Sequence, residues 1–260
     1  MRAAFYYPWF PETWSVNGKH VFYHPLLGYY RSDDPAVVDA HIRAMDYAKI
    51  RVAIVSWWGP SSVYNSRIPL LLDRIAALGS PLRVAFYYEK EGFGNPTQAE
   101  VTSDLGYLKT AYGSHASTRK PLTVFVYNAD DTACSVADKW KAANTVGAYI
   151  NLKVISGFQT CASQPGGWHQ YGPASREQNI GTAFAISPGF WRADEASARL
   201  ARDPAAWQQN VRNMVASGKP WQLITSFNEH GEGQGVEAAT EWASASGFGI
   251  YLDALHNDGR

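Results

Sequence analysis

The chain has 260 residues, with Lys+Arg and Asp+Glu both at 23, a balance that leaves no basic face for nucleic acid or for an anionic membrane surface. Two cysteines are too few for a disulfide-dense scaffold or a zinc cluster, and no apolar run approaches the length of a membrane span, so neither a nucleic-acid nor a membrane partner is expected. The aromatic share is 14%, with ten Trp and fifteen Tyr, more than a core also supplied with Val, Ile and Leu requires. A site for flat, partly apolar ligands such as sugars is one explanation of the surplus; an ordinary core is the other.

In chain order, a short run rich in β-branched and aromatic residues is followed by a polar or glycine-containing loop and then an amphipathic stretch, again and again. AAFYY (3–7) predicts the first strand, and DPAVVDAHIRAMDYAK (34–49) a helix capped by Asp34 with Pro35 in the first turn. RVAIVSWW (51–58) predicts the second strand, and RIPLLLDRIAALG (67–79) a helix ended by Gly79. RVAFYYE (83–89) follows, then TQAEVTSDLGYLKTAYG (97–113) with the same start and stop signals, then the strands LTVFVYN (122–128) and YINLKVIS (149–156). The candidate WHQYGP (168–173) is short and polar, and the segment before it is too rich in glycine for a full helix. TAFAIS (182–187), the helix DPAAWQQNVRNMVASG (203–218) and QLITSFN (222–228) complete the series. Strands this continuously apolar are covered on both faces, which favours a parallel sheet. Eight such units in this length predict an α/β fold, a single (β/α)8 TIM barrel over 1–260, with an open doubly wound sheet as second choice.

A barrel places its functional groups at the C-terminal ends of its strands. Those ends here carry Tyr6, Tyr7, Pro8 and Trp9, then Trp57 and Trp58, then Tyr87, Tyr88 and Glu89, then Tyr127 and Asn128, Tyr171, then Ser187, Pro188 and Gly189, and finally Asn228, Glu229 and Glu232. Aromatic faces cover the C–H face of a pyranose while Asn, Glu and His bond its hydroxyls, so this collection predicts an oligo- or polysaccharide as partner.

Glycoside cleavage uses two carboxyl groups, one to protonate the leaving oxygen and one as nucleophile or base. In WQLITSFNEHGEGQGVE (221–237), Glu229 and Glu232 are the natural pair: just past a buried strand, desolvation and mutual repulsion would split their pKa values into an acid and a base. Gly231, Gly233 and Gly235 allow a sharp turn and space for a ligand. Three other readings compete. The glutamates are caps of a following helix, VEAATEWA; or the loop binds phosphate, although it lacks GxGxxG spacing and a P-loop lysine; or Glu229, His230 and Glu232, or His20 and His24, hold a metal, although no HExxH spacing is present. No GxSxG nucleophile elbow occurs.

AFYYPWF, HPLLGYYRSDDPAVVDAHIRAMDYAKI, VAIVSWWG, FYYE, ISPGF and SFNEHGEGQGVE resemble, in that order, glycoside hydrolase family 99, the endo-α-mannosidase and endo-α-mannanase group with its bacterial relatives. The resemblance implies a (β/α)8 barrel that cleaves internal α-mannosidic bonds with retention and without metal or cofactor. It further implies that Glu229 deprotonates the sugar's own 2-hydroxyl, which attacks the anomeric carbon to give a 1,2-anhydro sugar, and that Glu232 is the general acid and later the base. Glu89, Trp57 or Trp58, Tyr7, Asn228 and Tyr171 would line the subsite. The family pattern EWHEGTQIE reads EHGEGQGVE here, with His230 in place of tryptophan and Gly231 in place of histidine. A non-catalytic carbohydrate-binding barrel and an inverting α-glucanase are the alternatives.

In the barrel, Cys134 follows strand four and Cys161 strand five, so their loops are neighbours and a disulfide is expected. The pair would imply an oxidising compartment, secreted or periplasmic, with the leader already removed; two free thiols would fit a cytoplasmic enzyme. His169 and His230 at strand ends, and His20 and His24 in the first loop, are expected near substrate, and His41, His115 and His256 as ordinary helix or surface residues.

Overall fold

The computed structural model describes residues 1–127 and 133–260. Eight parallel strands form the barrel: β1 (Arg2–Tyr6), β2 (Val52–Trp57), β3 (Arg83–Tyr88), β4 (Thr123–Val126), β5 (Tyr149–Lys153), β6 (Gly167–His169), β7 (Ala183–Ile186) and β8 (Trp221–Ile224). They pair in the order β6-β5-β4-β3-β2-β1-β8-β7, and an extra antiparallel arm, Glu177–Ile180, lies on the outer edge of β7. Closure between β6 and β7 rests on one residue. Thr182 donates its backbone N–H to the Trp168 carbonyl (2.9 Å), and its hydroxyl accepts from the Trp168 N–H (3.0 Å). The ladder itself stops at β6, so these bonds to Thr182, rather than strand pairing with β7, join the ends of the barrel sheet.

The longer helices are α1 (Pro35–Tyr47), α2 (Ile68–Ala77), α3 (Gln98–Tyr112), α4 (Ser135–Ala143), α5 (Pro204–Ala216) and α6 (Ile250–His256), and a four-residue helical turn (Glu91–Gly94) lies between β3 and α3. Their starts follow from capping chemistry: Asp34 accepts from Ala36 N–H, Asp203 from Ala205 and Ala206 N–H, and Thr97 and Glu100 form a reciprocal capping box. No α-helix follows β5 or β6; a single turn (Phe158–Thr160) and the hairpin around Gly181 (φ +59°) replace them. VEAATEWA is not a helix either. Val236 and Glu237 donate their backbone N–H groups to the Phe227 carbonyl, folding this segment back onto the end of β8, and only Thr240–Trp242 forms a 3-10 turn. The helix-capping reading of Glu229 and Glu232 is therefore corrected.

The strand period of two sorts the barrel residues into two cores. Phe5, Ile54, Tyr87, Phe125 and Leu223 fill the interior, with Phe5 against Tyr87 (4.7 Å between centroids) and Phe125 against Trp221 (4.9 Å). Ala4, Tyr6, Val55, Phe86 and Val124 face outward onto the helices. Many of the rings are thus ordinary core. Cys134, just before α4, and Cys161, after β5, are disulfide-bonded with Cα atoms 5.3 Å apart.

Candidate active site

Beyond β8 the chain makes a tight turn. Glu229 N–H donates to Ser226 Oγ (2.8 Å), Glu232 N–H to Glu229 Oε1 (3.2 Å) and Gln234 N–H to the Glu229 carbonyl (3.1 Å). Gly233 sits at φ +60°, where a Cβ would come 2.6 Å from the Trp191 carbonyl oxygen, so glycine is required. This turn aims both glutamates into a cavity of about 370 Å³ at the C-terminal mouth of the barrel. Glu89, at the end of β3, enters the same cavity. At Gly231 an added Cβ would lie 3.0 Å from both Glu229 Oε1 and Val16 of a short hairpin (Ser15–Val16 paired with Lys19–His20), so a side chain there requires one of the two to shift by a few tenths of an ångström.

The three carboxyl groups share one poorly solvated space, and each is biased toward its neutral form. Burial pushes Glu89 up to about 8, with the Glu232 charge adding to it and the hydrogen bond from Ser56 opposing it. Burial raises Glu229 well above the usual range, helped by the Glu232 charge and opposed by backbone N–H groups. Burial also raises Glu232, but Arg192 and Arg199, together with a hydrogen bond from Gln234, favour its charged form. Glu229 Oε2 is buried without a hydrogen-bond partner.

The walls are aromatic. Ser56 Oγ accepts from the indole N–H of Trp9 and of Trp58 (3.1 Å each) and donates to Glu89 Oε1 (2.8 Å), so one hydroxyl sets two tryptophans and a carboxyl. Tyr7 and Tyr171 meet through their hydroxyls (2.7 Å) on the cavity wall. Phe93 of the cavity also lines, with Trp58, a depression of about 290 Å³, and Tyr127, Tyr171 and Glu232 also line, with Arg199, another of about 250 Å³, so the main cavity adjoins two further depressions.

Of the residues expected at the site, Tyr7, Trp9, Glu89, Tyr171, Glu229 and Glu232 line the cavity, and Trp58 lines its extension. Trp57 and Tyr88 point the other way, one position out of phase on their strands. Trp57 Nε1 donates to Asn65 Oδ1 (2.9 Å) and Tyr88 hydroxyl to Asp104 Oδ2 (2.7 Å), both under the helices. Asn228 is inside the wall, its amide bonded at both ends to the Tyr7 backbone (2.8 and 3.0 Å). His230 is buried and bonded to Glu237 Oε2 (2.9 Å), away from the cavity. His24 is exposed and paired with Glu241 (2.6 Å). Asn128 lies outside the described residues. His169 is in the barrel interior, bonded to Asn151 (3.0 Å), and His41 is a helix residue as expected, on the buried face of α1 between Tyr6 (3.0 Å) and Glu237 (3.1 Å). Among the described residues no group of side chains could hold a metal ion.

Tyr87, also read at the end of its strand, lines the cavity. Residues that sequence reasoning passed over are Ser56, Arg192 and Gln234, and strict alternation from Trp58 back to Ser56 would have found the first. Arg192 belongs to a loop with no strand period, and Gln234 to an irregular turn.

A model for glycosyl hydrolase family 99 matches residues 15–157, more than half of the chain. The chain is 25% identical over 289 residues to a glycoprotein endo-alpha-1,2-mannosidase of Mus musculus, covering 89% of this chain and 59% of that protein. It is 29% identical to a glycoprotein endo-alpha-1,2-mannosidase-like protein of Danio rerio, covering 89% and 62%. It thus spans about three fifths of the length of these relatives. In fold it is similar to the GH99 endo-alpha-mannosidase from Bacteroides thetaiotaomicron, with TM-score 0.76 and 21% identity over 99% of this chain and 95% of that one. A solved glycoside hydrolase-like protein shares the fold with TM-score 0.68 at 14% identity, over 100% and 93% of the two chains. With the barrel, the paired glutamates of the last turn and this match in view, the chain belongs to glycosyl hydrolase family 99.

Proposed function

We propose that the protein is a retaining glycoside hydrolase that cuts internal α-mannosidic bonds in a glycan, using Glu229 and Glu232. Glu229 takes the proton of the 2-hydroxyl of the sugar in the main cavity. The 2-oxygen attacks C1 as the bond to the leaving oxygen breaks, and Glu232 protonates that oxygen. Glu232 then takes a proton from water, which opens the 1,2-anhydro sugar at C1, and Glu229 returns its proton to the 2-oxygen. Each carboxyl ends the cycle as it began.

The observation that carries this reading is three carboxyl groups with raised pKa values in one aromatic-walled cleft, one of them with a buried, unpartnered oxygen. A raised pKa makes Glu229 a stronger base toward a hydroxyl, and Glu229 lines the cavity in which that hydroxyl would stand. In the free site, Arg192 and Arg199 favour charge on Glu232 and so the proton on Glu229, the reverse of what the reaction requires. A hydrogen bond from the 2-hydroxyl stabilises the carboxylate of Glu229 and moves the shared proton to Glu232. Binding of the substrate sugar therefore sets the catalytic protonation state.

The cavity adjoins two further depressions that share its lining residues, room for a glycan longer than one sugar, which suits an internal bond. A manno-oligosaccharide blocked at its non-reducing end and labelled at the other is expected to yield fragments of two or more sugars. Release of single mannose residues, or no cleavage of any α-mannoside, would refute the proposed specificity.

A further inference from the structure

Gln234 is fully buried, yet its side-chain amide faces the candidate acid: Nε2 donates to Glu232 Oε2 (2.6 Å) and to the Tyr171 hydroxyl (2.9 Å). Both amide hydrogens are thus committed, while Gln234 Oε1 is buried with no partner. Against the carboxylate form of Glu232 the reversed amide would set two acceptor oxygens 2.6 Å apart, so the nitrogen faces the carboxyl. We infer that Gln234 is a positioning residue that fixes which oxygen of Glu232 carries the catalytic proton, an inference that rests on Glu232 being the acid of the reading above.

An amide N–H only donates, so the oxygen it touches is an acceptor and carries no proton. With Oε2 so occupied, the proton of the neutral acid resides on Oε1, the oxygen left to meet the leaving group. The same bond restrains rotation of the carboxyl group, and it is anchored through Tyr171 to Tyr7 on the cavity wall. Gln234 touches neither the cavity nor a reacting atom in this arrangement, since it is absent from the cavity lining.

The test uses the whole chain with Gln234→Leu and Gln234→Met, two variants of similar volume that cannot donate, so that a folding failure of one leaves the other. Each is assayed on a natural α-mannoside, whose leaving alcohol needs protonation, and on an α-mannosyl fluoride extended at its non-reducing end, whose leaving group does not. The loss of kcat on the natural linkage is expected to be about 10- to 100-fold, within the range that general acid catalysis supplies, with much less loss on the fluoride. The alkaline limb of the kcat/KM profile is expected to move to higher pH, because the removed bond favoured the carboxylate. Equal loss on both substrates, or an unmoved alkaline limb, would overturn the inference and leave a purely structural role. Glu232→Gln, run alongside, separates the two levels: if it retains wild-type turnover, the acid assignment itself fails, whereas an inactive Glu232→Gln with a Gln234 variant of unaltered pH profile removes Gln234 alone.

Discussion

Glu232→Gln is expected to lower turnover of an α-mannoside by roughly 10²- to 10⁴-fold, the share of a rate that a positioned general acid contributes, while leaving affinity for the glycan nearly unchanged. The substitution keeps shape and hydrogen-bonding capacity but removes the transferable proton. Glu232 forms one boundary between the main cavity and its extension on the Arg199 side, where the leaving sugar would stand, so the loss falls on bond cleavage rather than on holding the substrate. Titration calorimetry of the variant with substrate, beside the turnover assay, separates the two effects. Wild-type turnover in this variant would remove Glu232 from the mechanism, and lost affinity together with lost turnover would make it a binding residue.

The second large effect is on stability. Glu237 ends the same turn, is buried, and its carboxylate faces Tyr30 hydroxyl (2.7 Å), His230 Nε2 (2.9 Å) and His41 Nε2 (3.1 Å). These partners overcome the burial penalty and hold its pKa near about 2, below the ordinary 4.5. Glu237→Leu strands these polar groups in an apolar setting, and a loss of ~3–5 kcal/mol is expected at neutral pH, a fall of roughly 10 °C in Tm. The sign with pH follows from linkage. A depressed carboxyl pKa gives stability that is fully present above about 4.5 and is lost as pH falls from there toward about 2, a contribution of roughly 3 kcal/mol. The gap in Tm between wild type and variant is therefore expected to narrow as pH is lowered from 6 to 3. A gap independent of pH would show that packing, not the ionised carboxylate, holds this corner.

The same network explains what was legible in the sequence. Local rules are written in contiguous residues: Asp34, Thr97 and Asp203 announce their helices, and the runs around Val52, Arg83 and Trp221 announce their strands. The strand ends also gave up Tyr7, Glu89, Glu229 and Glu232, because a parallel barrel gathers those ends at one mouth. Trp57 and Tyr88 were misplaced because adjacent aromatic residues hide the phase of the strand, and the buried serine of SWW, not its first tryptophan, faces inward. His41 and Glu237 lie 196 positions apart, and no local pattern links a helix histidine to a loop glutamate. His230 looked like a ligand contact because its neighbours are acids, yet the turn at Gly233 sends Glu229 and Glu232 into the cavity and His230 into the wall.

The central claim is participation of the sugar's own 2-hydroxyl, and its stereochemical consequence is directly observable. Two inversions at C1, first by the 2-oxygen and then by water, restore the starting configuration. Proton NMR during the first minutes of cleavage of an α-linked manno-oligosaccharide should show the α-anomer of the new reducing end appearing first, with the β-anomer following only as mutarotation proceeds. Initial appearance of the β-anomer would mean a single displacement by water, and would contradict the roles given to Glu229 and Glu232.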